Sequence, residues 1–177
     1  MKNNIIIKKN KSKFKAKFYY NNISGTCQVG YSGIGKKIKE GDGLTPVGIY
    51  DLLEIYYRKD KVKKIYSLKD SIEITKKSGW STEPTDTNYN KYVTLPYNKS
   101  HEKLHRSDAC YDLIITTNFN SSPARKYKGS AIFVHCTDSS KFTDGCVAIP
   151  KNQLLCIIRS LKKKFKNCYY LLTFSQK

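Results

Sequence analysis

No stretch of this chain approaches the roughly 18 uninterrupted apolar residues of a membrane-spanning helix; its best runs, such as Ala131 to Val134, are of strand length. No membrane span is expected. The start, Met1-Lys-Asn-Asn-Ile5-Ile6-Ile7, offers three consecutive apolar residues where a secretory h-region needs roughly 7 to 15, and no small-residue cleavage site follows. No export signal is expected in the sequence as it stands. Glycine and proline are modest, 10 and 5, and unperiodic, which excludes a collagen-like chain. A C-x-x-C pair is lacking too: the six cysteines (Cys27, Cys110, Cys136, Cys146, Cys156, Cys168) are widely and irregularly spaced, and no disulfide framework is indicated. Cys27, Cys110, Cys156 and Cys168 read as small buried hydrophobes.

Acidic residues are scarce, 14 against 33 Lys and Arg, for a formal net charge of +19. Such an excess invites a nucleic-acid reading. Arginine is scarcer still, however, with only Arg58, Arg106, Arg125 and Arg159, whereas phosphate and base recognition favours the planar guanidinium fork. The lysines come with many Ile, Asn and Tyr, the coding habit of an AT-rich genome. Specific nucleic-acid binding is not expected; a solvated basic surface that attracts anionic polymers is.

What the chain does have is 39% hydrophobic and 12% aromatic residues in 177, enough for one packed core and hardly for two. A single domain over 1–177 is expected. Ile5 to Ile7, Phe14 to Tyr20 and Thr26 to Gly30 alternate with turn formers as a β-meander, followed by Ser32-Gly33-Ile34-Gly35. Glu40 to Gly48 is a Gly/Pro turn cluster leading into a strand from Ile49 to Ile55. Residues 56–78 are Lys-rich and weakly patterned, as in an exposed excursion, and Gly79-Trp80 to Asn90 reads as an ordered loop. Short strands are expected at Tyr92 to Leu95, Tyr111 to Thr117 and Ser130 to Val134, with a helical turn at Ser100 to Arg106 capped by Ser100. Lys151 to Lys164 is the clearest helix, with Leu154, Leu155, Ile157, Ile158 and Leu161 on one face, and Cys168 to Phe174 closes the chain as a strand. The fold class is mainly β.

His135 follows the strand Ala131 to Val134, and Cys146 comes eleven residues later in Thr143-Asp144-Gly145-Cys146-Val147-Ala148-Ile149-Pro150. A thiol and an imidazole so placed are the parts of a nucleophile and its base, because the thiolate is the reactive form and an imidazole can take its proton. Gly145 permits a sharp turn, so that N–H groups of Gly145 and Cys146 can face an oxyanion.

The residues Ser130-Ala-Ile-Phe-Val-His135 with Thr143-x-Gly145-Cys146 resemble the catalytic signature of the YkuD-type L,D-transpeptidases. Gly41-Asp42-Gly43-x-Thr45-Pro46-x-Gly48 resembles that family's upstream element. Gly79-Trp80, Leu95-Pro96-Tyr97, Ser100-His-Glu-x-Leu104 and Tyr111-Asp112-Leu113 are similar to a compact bacterial branch, and the motif-bearing core runs from about residue 25 to 161. The resemblance implies a β-sandwich or barrel-like catalytic domain with one or two short helices, needing no cofactor and acting as a monomer on peptidoglycan stem peptides. Cys146 would form a thioester at the diaminopimelate carbonyl with loss of D-Ala, and an amine, or water in an L,D-carboxypeptidase, would resolve it. His135 would be the base, oriented by the backbone carbonyl of Cys136. The substrate implies the periplasm or cell envelope as the place of work. Departures from the commoner form are Asp144 before Gly145, Val147-Ala148 after Cys146, and a shorter interval from His135 to Cys146.

Three other readings stand beside this one. His101-Glu102-Lys103-Leu104-His105 spells H-E-x-x-H, a zinc-peptidase pattern that needs a sustained helix and a third ligand. Pro96, Asn98 and Ser100 close in front of it argue against that helix, and no metal is assigned, although His101, His105, Asp108 or Cys110 could bind one adventitiously. A non-catalytic, basic cell-wall-binding module is the second, and a related peptidoglycan amide hydrolase the third. Trp80, Tyr89, Arg106, Tyr111, Thr143 and Asp144 are candidate substrate contacts; for the aromatics, packing is the alternative role.

Overall fold

The apolar and β-branched runs of the sequence are the strands of the structure. A computed structural model describes residues 4–62, 65 and 71–161, together with the backbone of 169–173. The first three strands, β1 (Ile5–Lys9), β2 (Lys15–Tyr20) and β3 (Ile23–Gln28), form the expected antiparallel meander. Along β2 the buried residues Ala16, Phe18 and Tyr20 alternate with exposed ones, the period-two pattern of a strand with one face in the core. β4 (Gly33–Gly35) and β5 (Leu44–Pro46) pair with each other in parallel and bracket the glycine-rich turn.

β6 (Gly48–Tyr57) runs beyond the expected Ile55, because Tyr56 is buried. Arg58 behind it is only 4% exposed, its guanidinium held by Asp60 and the Arg106 carbonyl, so the Lys-rich stretch does not begin as an exposed excursion. β7 (Ser71–Glu73) returns parallel to β6, while 63–64 and 66–70 of that stretch lie outside the described residues. β11 (Leu113–Thr117), β12 (Phe133–Cys136) and β13 (Val147–Ile149) are buried along their whole length, as strands covered on both faces must be.

The large sheet has the order β11-β12-β13-β3-β2-β1-β14-β6-β7, with β14 at Tyr169–Thr173, and β11 also pairs with β6. That extra pairing closes the sheet into a barrel-like ring with β7 outside it, which leaves the ring without open edges. The fold is therefore mainly β, with one helix among the described residues, α1 (Lys151–Ser160). Leu154, Ile157 and Ile158 bury its inner face, and it packs on β11 and β12. It ends before the expected Lys164; Lys162 to Lys164 and Cys168 lie outside the described residues. Cys156, expected to be buried, is exposed, because it falls on the solvent side of α1. No helix among the described residues is long and apolar enough to cross a membrane.

A small three-stranded sheet, β10-β8-β9, lies apart from the ring: β8 (Ser78–Ser81), β9 (Tyr92–Thr94) and β10 (His101–Lys103). Two expectations fail here. Gly79-Trp80 is in a strand rather than a loop, and Ser100 to Arg106 is not a helical turn but contains β10, with His101 opposite Ser81 and Glu102 opposite Trp80. The Ser100 hydroxyl meets Thr82 Oγ1 at 3.1 Å instead of capping a helix. The cause is tertiary: Trp80 and Leu104 bury themselves against Tyr56, Tyr111 and Phe133, and the backbone must pair across strands to follow them.

Candidate active site

The alternation of β12 sorts its side chains. Val134 and Cys136 enter the main core, whereas Phe133 and therefore His135 face the opposite side, toward the small sheet. The expected strand from Ser130 starts only at Phe133, since Ala131 adopts a left-handed φ of 51°. That bend turns the Ala131 N–H to Asn90 Oδ1 (2.9 Å) and its carbonyl to the thiol of Cys146 (3.0 Å).

Cys146 sits at the end of a turn that the upstream glycine-rich element grips. Thr143 Oγ1 donates to the Cys146 carbonyl at 2.7 Å and accepts the Gly145 N–H at 3.2 Å. Thr45 Oγ1 donates to the same carbonyl at 3.2 Å and accepts the Gly30 N–H at 2.8 Å. Gly145 has φ +142°, and a Cβ there would lie 3.0 Å from the Leu44 carbonyl, so glycine is required both for the turn and for the close approach. Asp42 ties the element together. Its carboxylate accepts the N–H groups of Ile38, Lys39 and Leu44 and pairs with the buried Lys37 ammonium at 2.6 Å. Burial pushes the Asp42 carboxyl up, but Lys37 and those amides outweigh it and hold it at about 2.

The Cys146 thiol is nearly buried, donating to the Ala131 carbonyl and accepting the Phe133 N–H at 3.3 Å. Burial raises it above the ordinary thiol range and the charge of Glu102 raises it further, so at rest it is protonated. His135 is buried as well, and burial lowers its imidazole, which is therefore neutral. Its Nδ1 lies 2.9 Å from the Cys136 carbonyl and 3.2 Å from Cys110 Sγ. A carbonyl only accepts, so that contact assigns the proton to Nδ1 and leaves Nε2 with the lone pair. The Tyr111 ring stands edge-on to the imidazole, with centroids 5.2 Å apart.

Cys146 and His135 line one cleft of about 520 Å³ with Arg106, Tyr111, Thr143 and Asp144, all expected near the site. Cys136 contributes its carbonyl, while its thiol points into the core toward the Leu113 carbonyl. Trp80 and Tyr89 do not line the cleft, because both are drawn into packing. Trp80 lies against Phe133 and donates to Asn90 Oδ1 at 3.0 Å; Tyr89 donates its hydroxyl to Glu40 and accepts the Gly129 N–H. The cleft also contains Glu40, Glu102, Cys110 and Asp138, which the sequence reading did not place there. Glu102 was legible as part of the zinc pattern and of the Ser100-His-Glu-x-Leu104 segment, neither of which gave it a place beside Cys146. Cys110, read as a buried hydrophobe, faces His135, and burial pushes its thiol up to about 12.

The zinc pattern loses its geometry with the helix. His101 Nδ1 is 2.7 Å from the Lys99 carbonyl, while Glu102 is in the cleft. Among the described residues only Asp108, Cys110 and Asp138 bring ligand atoms within 4.8 Å of one another. Of these, Asp108 is taken by Arg106 at 2.7 Å, and Asp138 accepts the Ser140 N–H.

A closed β-sheet that brings a thiol and a neutral imidazole into one cleft defines a class: mainly β proteins equipped for thiol chemistry. Comparison with protein families narrows it, for the L,D-transpeptidase catalytic domain (YkuD) matches residues 4–166 and the chain belongs to that family. The family is an enzymatic one that works on peptidoglycan. A search of curated proteins finds no match.

Proposed function

We propose that this protein is a cysteine-dependent acyltransferase of peptidoglycan stem peptides, with Cys146 as nucleophile and His135 as base. The observation that carries the reading is the pairing, in one cleft, of a thiol on a glycine turn with an imidazole whose Nδ1–H is fixed by the Cys136 carbonyl. Nε2 of His135 takes the thiol proton as Sγ attacks the diaminopimelate carbonyl. The resulting oxyanion needs a donor. The Gly145 N–H is already given to Thr143 Oγ1, whereas the Cys146 N–H has no hydrogen-bond partner among the described residues and is the better placed of the two. The C–N bond then breaks, the imidazolium returns its proton to the departing D-Ala amine, and a thioester remains on Cys146. An incoming amine loses its proton to His135, attacks the thioester and forms the new amide as the thiol leaves. Water in place of the amine gives the L,D-carboxypeptidase outcome with the same pair. The cell envelope is the compartment in which such a substrate is met.

Incubation with a carbapenem, followed by intact mass, tests this. One adduct is expected on the wild type, none on Cys146→Ala, and acylation slowed by about 10³-fold or more in His135→Ala. An adduct that persists in a folded Cys146→Ala variant would assign the chemistry elsewhere.

A further inference from the structure

We propose that Glu102 is the specificity-determining residue of this cleft, receiving the ammonium group of an amine-bearing stem residue beside Cys146. The inference rests on the stem-peptide reading above and deepens it. The charge of the cleft runs against that of the chain: the protein carries +19 overall, yet the ionisable side chains lining the cleft include the four carboxylates of Glu40, Glu102, Asp138 and Asp144.

The two cations of the lining are already answered. Lys37 is paired with Asp42 at 2.6 Å, and Arg106 with Asp108 at 2.7 Å. Among the described residues none of the four carboxylates is in an ion pair. Glu40 and Asp138 spend oxygens on hydroxyl groups, of Tyr89 and Ser130 and of Ser140. Glu102 is the carboxylate of the cleft whose charge acts most strongly on the Cys146 thiol. Its Oε2 accepts the Tyr111 hydroxyl at 2.6 Å, Oε1 has no hydrogen-bond partner among the described residues, and Tyr111 in turn abuts His135. Burial pushes the Glu102 carboxyl up, with only the Tyr111 bond and the charge of Arg106, itself paired with Asp108, acting against it; a carboxylate without an ion pair in such a cleft is costly to ionise unless a cation arrives with the ligand.

The same placement couples recognition to reactivity. Glu102 on β10, Asp144 on the catalytic turn, and Cys110 and Tyr111 ahead of β11 face Cys146 together with the neutral His135 of β12; Lys37, neutralised by Asp42, lies next to Gly145. Removing the negative charge of Glu102, or covering it with an ammonium group, makes the thiolate easier to form. The cleft thus favours ionisation of its nucleophile when an amine-bearing group is in place.

The test follows alkylation of Cys146 by iodoacetamide across pH, resolved by peptide mass, in wild type and Glu102→Gln. Glutamine keeps an acceptor for Tyr111 and drops the charge. The expected result is a midpoint shifted to lower pH in the variant. Nα-acetyl-lysine amide should lower the wild-type midpoint, its Nε-acetylated neutral counterpart should not, and neither should act on Glu102→Gln. In turnover of a tetrapeptide stem, acetylating the side-chain amine should raise KM roughly tenfold or more for wild type and leave the variant nearly indifferent. Equal midpoints in the two proteins, or equal effects of charged and neutral probes, would overturn the proposal. Absence of stem turnover with the alkylation pattern intact would sink the stem-peptide reading while upholding the ammonium site.

Discussion

The turn that carries Cys146 and the small sheet that carries Glu102 face the same cleft, yet different forces hold them. The turn is fixed by polar bonds between two sequence-distant motifs: Thr45 and Thr143 both donate to the Cys146 carbonyl, and Asp42 gathers three amides and an ammonium group. The sheet is fixed by aromatic packing of Trp80 against Phe133 and Tyr56, with Asn90 as its polar anchor. Hydrogen bonds dictate atom positions to a fraction of an ångström, as the proposed nucleophile requires. Apolar packing sets the distance of a wall and leaves the charge that it turns into the cleft to meet a ligand.

Substitutions can separate the two devices. The largest loss is expected from Trp80→Ala, about 3 to 5 kcal/mol by urea denaturation, because a large ring leaves a cavity between the two sheets. Asp42→Asn attacks the other region and should cost about 3 kcal/mol, since it leaves the nearly buried Lys37 ammonium without its partner. Its pH signature has a definite sign. The native carboxyl sits at about 2, below its unfolded value, so its stabilisation is complete above the usual carboxylate range and is lost as pH falls through about 2. Denaturation curves of wild type and Asp42→Asn should therefore converge on acidification.

Thr45→Val comes next, at about 1 to 3 kcal/mol, because the buried Gly30 N–H loses its acceptor and the Cys146 carbonyl one of its donors. Carbapenem acylation should slow in this variant although Thr45 is far from Cys146 in sequence. The smallest effect is expected from Tyr111→Phe, which keeps the ring against His135 and removes the bond to Glu102. Burial raises the Glu102 carboxyl and that bond works against it, so its loss should raise the carboxyl further and move upward the pH below which kcat/KM for an amine-bearing stem peptide falls.

The sequence disclosed the turn better than the wall, and for a physical reason. A glycine that must take φ +142°, threonines that must reach a particular carbonyl and a His on an apolar strand are local necessities, visible as Thr143-x-Gly145-Cys146 and Phe133-Val134-His135. Glu102 sits within five residues that also spell a zinc motif, and Ser100 before it is a fair helix cap; only pairing with β8 makes that segment a strand. Trp80 and Tyr89 show the same limit, since an aromatic in a turn-rich stretch serves equally well as a groove or as packing until its neighbours are known.

By itself the amino-acid order determined the mainly β character, the meander, the helix after Pro150 and the His135/Cys146 pair, because periodicity, glycine conformation and motif spacing are carried by near neighbours along the chain. Only the tertiary structure decided that the sheet closes through β11 and β6, that β10 turns a supposed metal motif into one wall of the cleft, and that four carboxylates gather there in a strongly basic protein. Those outcomes depend on contacts between residues far apart in sequence, where burial and strand pairing override local preference.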